Sequence, residues 1–317
     1  MPRITWPDLP HHVRAEVESI LGSSVVEHTS YPGGFSPGTA DKVVCADGTE
    51  AFVKAVHPDL NTKSPGIHRS ELGVMRALPP GLPVPALLGG FEADDWVVLV
   101  LEHVDADHPA LPWTRDTLLP VVDAALALGD RLTPSPLDLD LASNHCADMW
   151  QGFARCLETP PDDLDPWLAD RLGVLDARAR ASLAAMDGDT LTHLDLRADN
   201  ILIRRGDGPL GDRVVFIDWP WALRGARWLD VTLLTLEMAA QDDPDSRAAT
   251  DQVLHHIAAA CGSSAGPLVD TLVGLTGYFT WQSRTPTTPG LPTLRAFQRT
   301  LADGLTAWLK ETELATW

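Results

Sequence analysis

The sequence has little positive charge. Its 24 Lys and Arg residues stand against 44 Asp and Glu residues, which gives a formal net charge of −20 over 317 residues. Proteins that bind nucleic acid need clustered Lys and Arg side chains to displace counterions from the phosphate backbone. We therefore expect no nucleic-acid partner, and a neutral or cationic small molecule fits the charge better. The excess of acid also has a plainer explanation, because it keeps a protein soluble.

Cysteine is scarce, and long apolar runs are absent. The cysteines are widely spaced and form no Cys-x-x-Cys pair, which favours reduced, buried thiols over disulfides or a zinc site. The N-terminal residues lack the apolar core of a signal peptide, and no window approaches the roughly 18 apolar residues of a membrane-spanning helix. We expect a cytoplasmic protein without a membrane segment. The cysteines are Cys45, Cys146, Cys156 and Cys261.

What is present is a change of pattern along the chain. Residues 24–104 alternate short β-like runs with turns and include one helical segment, whereas long helical stretches dominate the remainder. Within the helical part, two apolar runs at 201–203 and 214–217 flank a turn-rich segment and predict a β-hairpin. The sequence thus predicts an α+β protein. Its small antiparallel sheet lobe, with one helix, would cover residues 1–102, and a larger, mainly helical lobe would cover residues 103–317.

Three oxygen-bearing side chains occur where this hairpin can bring them together. Asp195 and Asn200 lie five residues apart just before the first hairpin strand, and Asp218 follows the second strand. Phosphoryl transfer needs such a set: one carboxylate orients the attacking hydroxyl and accepts its proton, while a second carboxylate and an amide oxygen hold Mg²⁺. Each residue alone has a simpler explanation as a turn residue, but the joint spacing favours a phosphotransferase site.

A lysine in the N-terminal part supports that interpretation. The chain contains only four lysines, and Lys54 lies within the strand-like segment 51–56, where a partly buried ammonium needs an anion. A helix predicted from Pro65 to Leu78 places Glu71 on its apolar stripe. Lys54 and Glu71 are therefore expected to form an ion pair that holds the lysine against nucleotide phosphates. The alternative is that the stripe ends early and Glu71 lies in solvent.

A glycine-containing segment precedes the lysine. Gly33, Gly34 and Ser36 lie between two strand-like runs, and glycine allows a backbone to approach a ligand closely. The segment is thus a candidate cover for nucleotide phosphates. A simple hairpin turn explains it equally well, and Pro37 removes one backbone donor.

Taken in order, these motifs resemble those of the aminoglycoside phosphotransferase family, which is related to protein kinases. The resemblance spans roughly residues 25–240 and is strongest from His193 to Asp218. It implies a bilobal, protein-kinase-like fold, with ATP or GTP in the cleft and Mg²⁺ as a cofactor. The residues that carry it are Gly33, Gly34, Lys54, Glu71, Leu101-Glu102-His103-Val104, His193, Asp195, Asn200, Ile217 and Asp218.

The resemblance also implies a role for each matching position. Asp195 would be the catalytic base, and Asn200 and Asp218 would bind magnesium. His193 would be a scaffold residue. Asp230 resembles an aspartate that braces the catalytic loop, although the helix dipole also favours an acid in the first turn of a helix. The residues implied to bind the nucleotide are Lys54 at the phosphates, Glu71 orienting Lys54, Gly33, Gly34 and Ser36 in the phosphate loop, and Glu102 and Val104 at the hinge against the base.

Three positions depart from the family pattern. Leu194 stands where the family usually has glycine, Arg197 where histidine is frequent, and Asp199 where glycine is frequent. These changes affect the shape of the loop and the charge around the phosphates, and Asp199 is an additional magnesium candidate. None of them removes a residue implied to act in catalysis or metal binding, so we expect an active enzyme.

The predicted reaction is transfer of the γ-phosphoryl group of ATP or GTP to a hydroxyl of a small molecule. The family acts on antibiotics, choline, homoserine and sugars, so the resemblance does not select the acceptor. The favoured acceptor is an antibiotic such as an aminoglycoside or another sugar-containing antibiotic, which would confer resistance by phosphorylation. The alternatives are a metabolic small-molecule kinase of the choline, homoserine or sugar type, and a nucleotide-binding pseudokinase that acts by interaction.

Two acidic clusters bear on the acceptor. They lie at residues 162–165 and 242–245, and they could meet a polycation such as an aminoglycoside. Acidic runs of this kind are more often solvated loop ends. The sequence indicates no oligomeric state.

Overall fold

A computed structural model describes residues 3–31, 37–287 and 293–316. The described chain divides into two compact units. The first contains the residues up to His108 together with Asn200–Asp207 and Arg213–Ala222, and the second contains Pro109–Asp199, Gly208–Asp212 and the residues from Leu223 onward. The first unit thus includes two segments that lie late in the chain. The predicted division into residues 1–102 and 103–317 stays a prediction.

The elements are numbered in chain order. Those of the first unit are α1 (His11–Leu21), β1 (Val25–Ser30), β2 (Thr39–Cys45), β3 (Glu50–Val56), α2 (Ser64–Ala77), β4 (Leu87–Ala93), β5 (Trp96–Glu102), β6 (Ala106–Asp107), β8 (Ile201–Arg204) and β9 (Val214–Phe216). Those of the second unit are α3 (Arg115–Arg131), α4 (Ala142–Cys146), α5 (Gly152–Glu158), α6 (Pro166–Ala169), α7 (Leu172–Ala185), β7 (Thr190–Thr192), β10 (Leu223–Gly225), α8 (Leu229–Ala239), α9 (Pro244–Ala260), α10 (Ala265–Gln282) and α11 (Leu294–Glu311).

A five-stranded antiparallel sheet is the centre of the first unit, in the order β1-β2-β3-β5-β4. Side chains alternate between the two faces of a strand. Val53 and Val98 therefore belong to one face, where they form a core with Val13 and Val17 of α1. Lys54, the neighbour of Val53, points to the opposite face. The sequence predicts one helix beside the sheet, and the structure contains that helix as α2 and a further one, α1.

The first unit contains two hairpins, one within this sheet and one in a separate three-stranded sheet. Strands β4 and β5 are joined by Asp94 and Asp95, which both have the left-handed φ values, 47° and 65°, that a type I′ turn needs. Strands β8 and β9 pair antiparallel, with Ile201 opposite Phe216, and β6 adds a third strand beside β8. The hairpin predicted from the two apolar runs is thereby confirmed.

Helices make up most of the second unit, and α10 is buried along most of its length. It packs closely against α5 because glycines meet there. A Cβ built on Gly152 would lie 2.1 Å from the carbonyl carbon of Gly277, so neither helix could approach this closely with larger residues. Strands β7 and β10 pair antiparallel, and β7 directly precedes the loop that begins at His193. The predicted α+β class, with its antiparallel sheet and helical C-terminal part, is confirmed.

Two composition-based expectations can be compared with the structure. All four cysteines are free, and three of them are buried, with Cys261 partly exposed. Among the described residues, no helix combines the length and the apolar character needed to cross a lipid bilayer.

Candidate active site

The central feature of the first unit is the ammonium group of Lys54. It donates to both carboxylate oxygens of Glu71, at 2.7 and 2.9 Å, and to Oδ1 of Asp218 at 2.7 Å. The lysine side chain is 16 % exposed and that of Glu71 only 3 %, whereas the Asp218 side chain is 45 % exposed. The ion pair with Glu71 is the one the sequence predicts. The contact with Asp218 is an addition that joins residues 164 positions apart.

The charge of Lys54 is secured by these neighbours. Burial alone would lower the pKa of the ammonium, but the two carboxylates outweigh it and raise the pKa above its ordinary value. Lys54 therefore stays a cation throughout the physiological range. Because Asp218 is half exposed, one end of this three-residue cluster faces solvent, where an anionic ligand can reach the ammonium.

Helix α2 presents Glu71 inward, as its apolar pattern requires. Leu72, Val74 and Met75 are buried on the same helix, and the observed bounds differ by one residue at each end from the predicted 65–78. A buried acid on this stripe needs a cationic partner, and Lys54 is in contact with both of its carboxylate oxygens. The adjacent Ser70 donates a hydrogen bond from Oγ to the carbonyl of Pro220 at 2.7 Å.

The segment that carries Asp218 is held in an unusual backbone conformation. Asp218 has a φ of 68°, in the left-handed region that non-glycine residues seldom adopt. Hydrogen bonds of its two neighbours hold it in place: the Ile217 amide donates to the carbonyl of Asn200 at 3.0 Å, and the Trp219 indole donates to the carbonyl of Phe216 at 3.2 Å. The strained residue is therefore kept beside Lys54 by its neighbours rather than by its own preference.

The donor set around this segment suits Mg²⁺. The hydrogen bond from the Ile217 amide to the carbonyl of Asn200 brings Asn200 close to Asp218. The two side chains offer an amide oxygen and a half-exposed carboxylate. Within the described ranges, no three His, Cys, Asp or Glu side chains lie close enough to hold a metal by themselves. Magnesium in kinase-type sites is held by one or two carboxylates together with substrate phosphates and water, so a sparse set of oxygen ligands fits this ion.

The residues predicted to contact the base belong to the same unit. Glu102, the last residue of β5, accepts from the Ala86 amide at 3.1 Å and from the Arg204 guanidinium at 3.0 Å. Val104 is buried, with 8 % exposure. Both contacts of Glu102 are structural, and the predicted roles of Glu102 and Val104 in binding the base stay predictions.

The predicted phosphate-loop residues Gly33, Gly34 and Ser36 lie outside the described residues. The structure does describe Tyr31, at the end of β1. Its hydroxyl lies 3.1 Å from Nε2 of His103, next to the predicted hinge.

The loop from His193 to Asp199 belongs to the second unit. Asp230 of α8 accepts from the backbone amides of His193 at 2.7 Å and Leu194 at 2.9 Å, which is the bracing contact that the family resemblance implies. Asp195 follows directly. Asn200, at the other end of the loop, begins a segment of the first unit, so the predicted meeting of Asp195 with the metal ligands stays a prediction.

The two later departures from the family pattern bind each other. The Arg197 guanidinium donates through Nε to Oδ1 of Asp199 at 2.9 Å and through a terminal nitrogen to its other oxygen. Burial would lower the pKa of Arg197, but Asp199 and then Asp195 raise it. The extra cation and the extra acid of this loop thus form one bidentate pair. Asp199 would have to leave this pair before it could serve as a magnesium ligand.

The first departure from the family pattern, Leu194, has an unusual backbone conformation. Leu194 has a φ of 61°, a conformation that suits glycine, the usual residue at this position in the family. We expect Leu194→Gly to be more stable than Leu194→Ala by about 1 kcal/mol, because both lack the leucine side chain and only alanine keeps the left-handed strain. Urea unfolding of the two variants measures this difference. Equal stability would show that the loop relaxes out of this conformation.

His68, on α2, makes stability depend on pH. Its side chain is buried, and Nδ1 donates to the carbonyl of Ser64 at 3.1 Å. Burial and then the charge of Lys54 lower the pKa of His68 from 6.5 to about 4. Between these values the unfolded chain binds a proton that the native chain does not, so stability falls as the pH falls through this window.

The effect can be isolated with one variant. Between pH 7 and pH 5, we expect the wild type to lose about 2 kcal/mol more unfolding free energy than His68→Gln, which cannot take up the proton. Urea unfolding at the two pH values provides the measurement. Identical losses in both proteins would exclude His68 as the cause.

Three carboxylates of the acidic clusters make internal contacts. Asp163 binds Arg284 at 2.7 Å and Arg299 at 2.6 Å. Asp165 and Asp243 accept from backbone amides at the starts of α6 and α9. These carboxylates therefore have structural partners, and they do not by themselves indicate a polycationic acceptor.

Solved structures of other proteins share this architecture. No protein-family model matches the sequence, and a search of curated proteins also finds no match. A thermostable mutant of an aminoglycoside phosphotransferase, in ternary complex with ADP and hygromycin B, superposes with a TM-score of 0.60 at 14 % identity over 96 % of this chain and 99 % of that chain. The chain has the aminoglycoside phosphotransferase fold.

Two further structures share this fold. An aminoglycoside phosphotransferase from Alicyclobacillus acidocaldarius gives a TM-score of 0.58 at 16 % identity, over 90 % of this chain and 91 % of that one. An amicoumacin kinase in complex with AMP-PNP and Ca²⁺ gives a TM-score of 0.59 at 12 % identity, over 98 % of this chain and 96 % of that one. The predicted kinase-like fold is thus confirmed along nearly the whole chain.

Sequence reasoning missed one residue of this aminoglycoside phosphotransferase fold that touches the loop. Glu237 of α8 accepts from the Ala198 amide at 3.1 Å and from the Trp113 indole at 2.8 Å. A signal was available, because Asp230 and Glu237 are the only charged residues of α8. An acid in an otherwise uncharged, largely buried helix needs a partner.

Proposed function

We propose that this chain is an ATP- or GTP-dependent phosphotransferase that moves the γ-phosphoryl group to a hydroxyl of a small molecule, with an antibiotic such as an aminoglycoside or another sugar-containing antibiotic as acceptor. The observation that carries the proposal is the Lys54 ammonium held between Glu71 and Asp218. A buried, permanently charged lysine that opens to solvent beside an exposed carboxylate suits a phosphate chain with its metal.

The first unit supplies the residues for the nucleotide. Lys54 binds the phosphates, and Glu71 holds its side chain in place. Phe52 lies two residues earlier on β3, so by strand alternation its ring shares the face of Lys54 and offers a surface for the base. Asn200 and Asp218 would hold Mg²⁺, and the ion would supply positive charge to neutralise the phosphate chain during transfer.

The second unit supplies the residue for the acceptor. Asp195 orients the attacking hydroxyl and accepts its proton at the carboxylate. The transition state of phosphoryl transfer is loose, so orientation matters more than base strength. The hydrogen bonds that the backbone amides of His193 and Leu194 donate to Asp230 keep the loop in one conformation before the acceptor arrives.

The acceptor class is supported by the structures that share the fold. One of them is an aminoglycoside phosphotransferase in complex with ADP and hygromycin B, and another is an amicoumacin kinase in complex with AMP-PNP and Ca²⁺. Since Asp163, Asp165 and Asp243 have internal partners, the acidic clusters do not favour a polycation over an uncharged acceptor. The acceptor panel must therefore include both kinds.

An ADP- and GDP-release assay tests the proposal. The purified chain is incubated with ATP or GTP, Mg²⁺ and single acceptors from the aminoglycosides, nucleoside antibiotics, macrolides, choline, homoserine and sugars. We expect acceptor-dependent release with at least one antibiotic, and mass spectrometry should find one added phosphoryl group. Release only with choline, homoserine or a sugar would establish a metabolic kinase instead. Tight nucleotide binding without any turnover would establish a pseudokinase.

A further inference from the structure

Helix α8 touches the loop of Asp195 at two places. Asp230, near the start of the helix, accepts from the amides of His193 and Leu194. Glu237, near its end, accepts from the amide of Ala198 at 3.1 Å. Seven residues span about two turns of an α-helix, so the two carboxylates project from the same side. One helix face therefore holds the loop both before and after the proposed base.

The Glu237 carboxylate is itself fixed. The indole nitrogen of Trp113 donates to its Oε2 at 2.8 Å, and Trp113 is 1 % exposed, so this anchor cannot be replaced by water without opening the core. Burial raises the pKa of Glu237, while the two N–H donors and the nearby Arg197 lower it. Burying a carboxylate is unfavourable unless it is hydrogen-bonded, and here its donors are one core residue and one loop amide.

We propose that Glu237 is a positioning residue for phosphoryl transfer: it holds the Ala198 end of the loop, as Asp230 holds the His193 end, and thereby fixes the direction in which Asp195 faces. The inference rests on the proposed function. Small displacements matter in such a reaction, because a shift of about 1 Å in a positioned group can cost about 100-fold in rate.

The test is Glu237→Gln, which keeps size and shape. Oε2 of Glu237 accepts from both Trp113 and Ala198, and Oε1 lies 3.3 Å from the Ala198 amide nitrogen. In glutamine, an NH₂ group takes the place of one of these oxygens and faces the Ala198 amide, which it repels. We expect kcat per nucleotide-binding site to fall at least 10-fold, with the nucleotide Kd within about twofold of wild type. Hydrogen exchange of the Ala198 amide should become faster. Glu158→Gln, an exposed acid at the end of α5, is the matched control and should leave all three values unchanged.

The outcomes separate the two proposals. A Glu237→Gln protein whose kcat per site equals that of wild type, even with faster exchange at Ala198, overturns the positioning role while the kinase assignment stands. A fall in nucleotide binding in proportion to activity indicates general loss of structure and also overturns it. Wild type without turnover on any acceptor sinks the proposed function first, and the positioning role with it.

If Glu237→Gln does not fold, Trp113→Phe serves in its place. This change removes the indole donor that anchors Glu237 but leaves the loop and its amides intact. We expect kcat to fall about threefold to 10-fold, again with nucleotide affinity preserved. A Trp113→Phe protein that folds and turns over at the wild-type rate would contradict the positioning role.

Discussion

Replacing Asp195 with asparagine should lower kcat by about 10³-fold and change the nucleotide Kd by no more than about twofold. Asparagine can still accept a hydrogen bond from the acceptor hydroxyl, but it cannot take up the proton as bond formation proceeds. The loop should keep its shape, because the amides of His193 and Leu194 remain bound to Asp230. Loss of rate with retained binding is the signature of a group that acts only in the transition state.

The measurement combines ADP release at saturating acceptor with nucleotide titration by calorimetry. Asp207→Asn is the matched control, since Asp207 is an exposed acid in the hairpin turn. It should leave both values unchanged. A fully active Asp195→Asn protein would remove Asp195 from the mechanism, and equal losses in both variants would point to net charge rather than to a specific base.

Lys54→Met should have the second large effect, and it should act on two properties at once. Loss of one charge-assisted contact to phosphate should weaken nucleotide binding by about 10- to 100-fold. The same change leaves Glu71 buried at 3 % exposure without its cation, and breaking a buried pair in this way costs about 3–5 kcal/mol of stability.

A double variant separates these two consequences. Lys54→Met/Glu71→Gln removes both charges, so most of the lost unfolding free energy should return, while nucleotide affinity should stay as low as in Lys54→Met. Urea unfolding and nucleotide titration of the three proteins complete the comparison. If affinity recovers together with stability, the lysine is a structural partner of Glu71 and does not bind phosphate.

The parts of this site that obey local rules were readable from the sequence. Strand alternation and the apolar stripe of a helix predicted the pairing of Lys54 with Glu71, and Nζ of Lys54 lies 2.7 Å from Oε1 of Glu71. The hairpin that carries Asp218 followed from two apolar runs and a turn. Helix α1 was missed although a signal was available, because Val13, Val17, Ile20 and Leu21 have the spacing of an apolar helix stripe.

The parts that depend on contacts between distant segments were not readable. Lys54 meets Asp218 across 164 positions, and Trp113 meets Glu237 across 124, and no periodic pattern records either distance. The left-handed backbone of Leu194 was hidden for another reason: leucine is a poor choice for that conformation, so the residue gives no signal of it. The bidentate pairing of Arg197 with Asp199 likewise became visible only in three dimensions.

The hydrogen bond from Ser70 to Pro220 has a consequence for nucleotide binding. Ser70 and Glu71 are consecutive residues of α2, and one binds the segment after Asp218 while the other binds Lys54. Outward movement of the helix would break both attachments together. Fastened in this way, α2 keeps Glu71 beside Lys54, so a nucleotide would meet a lysine that is already in position.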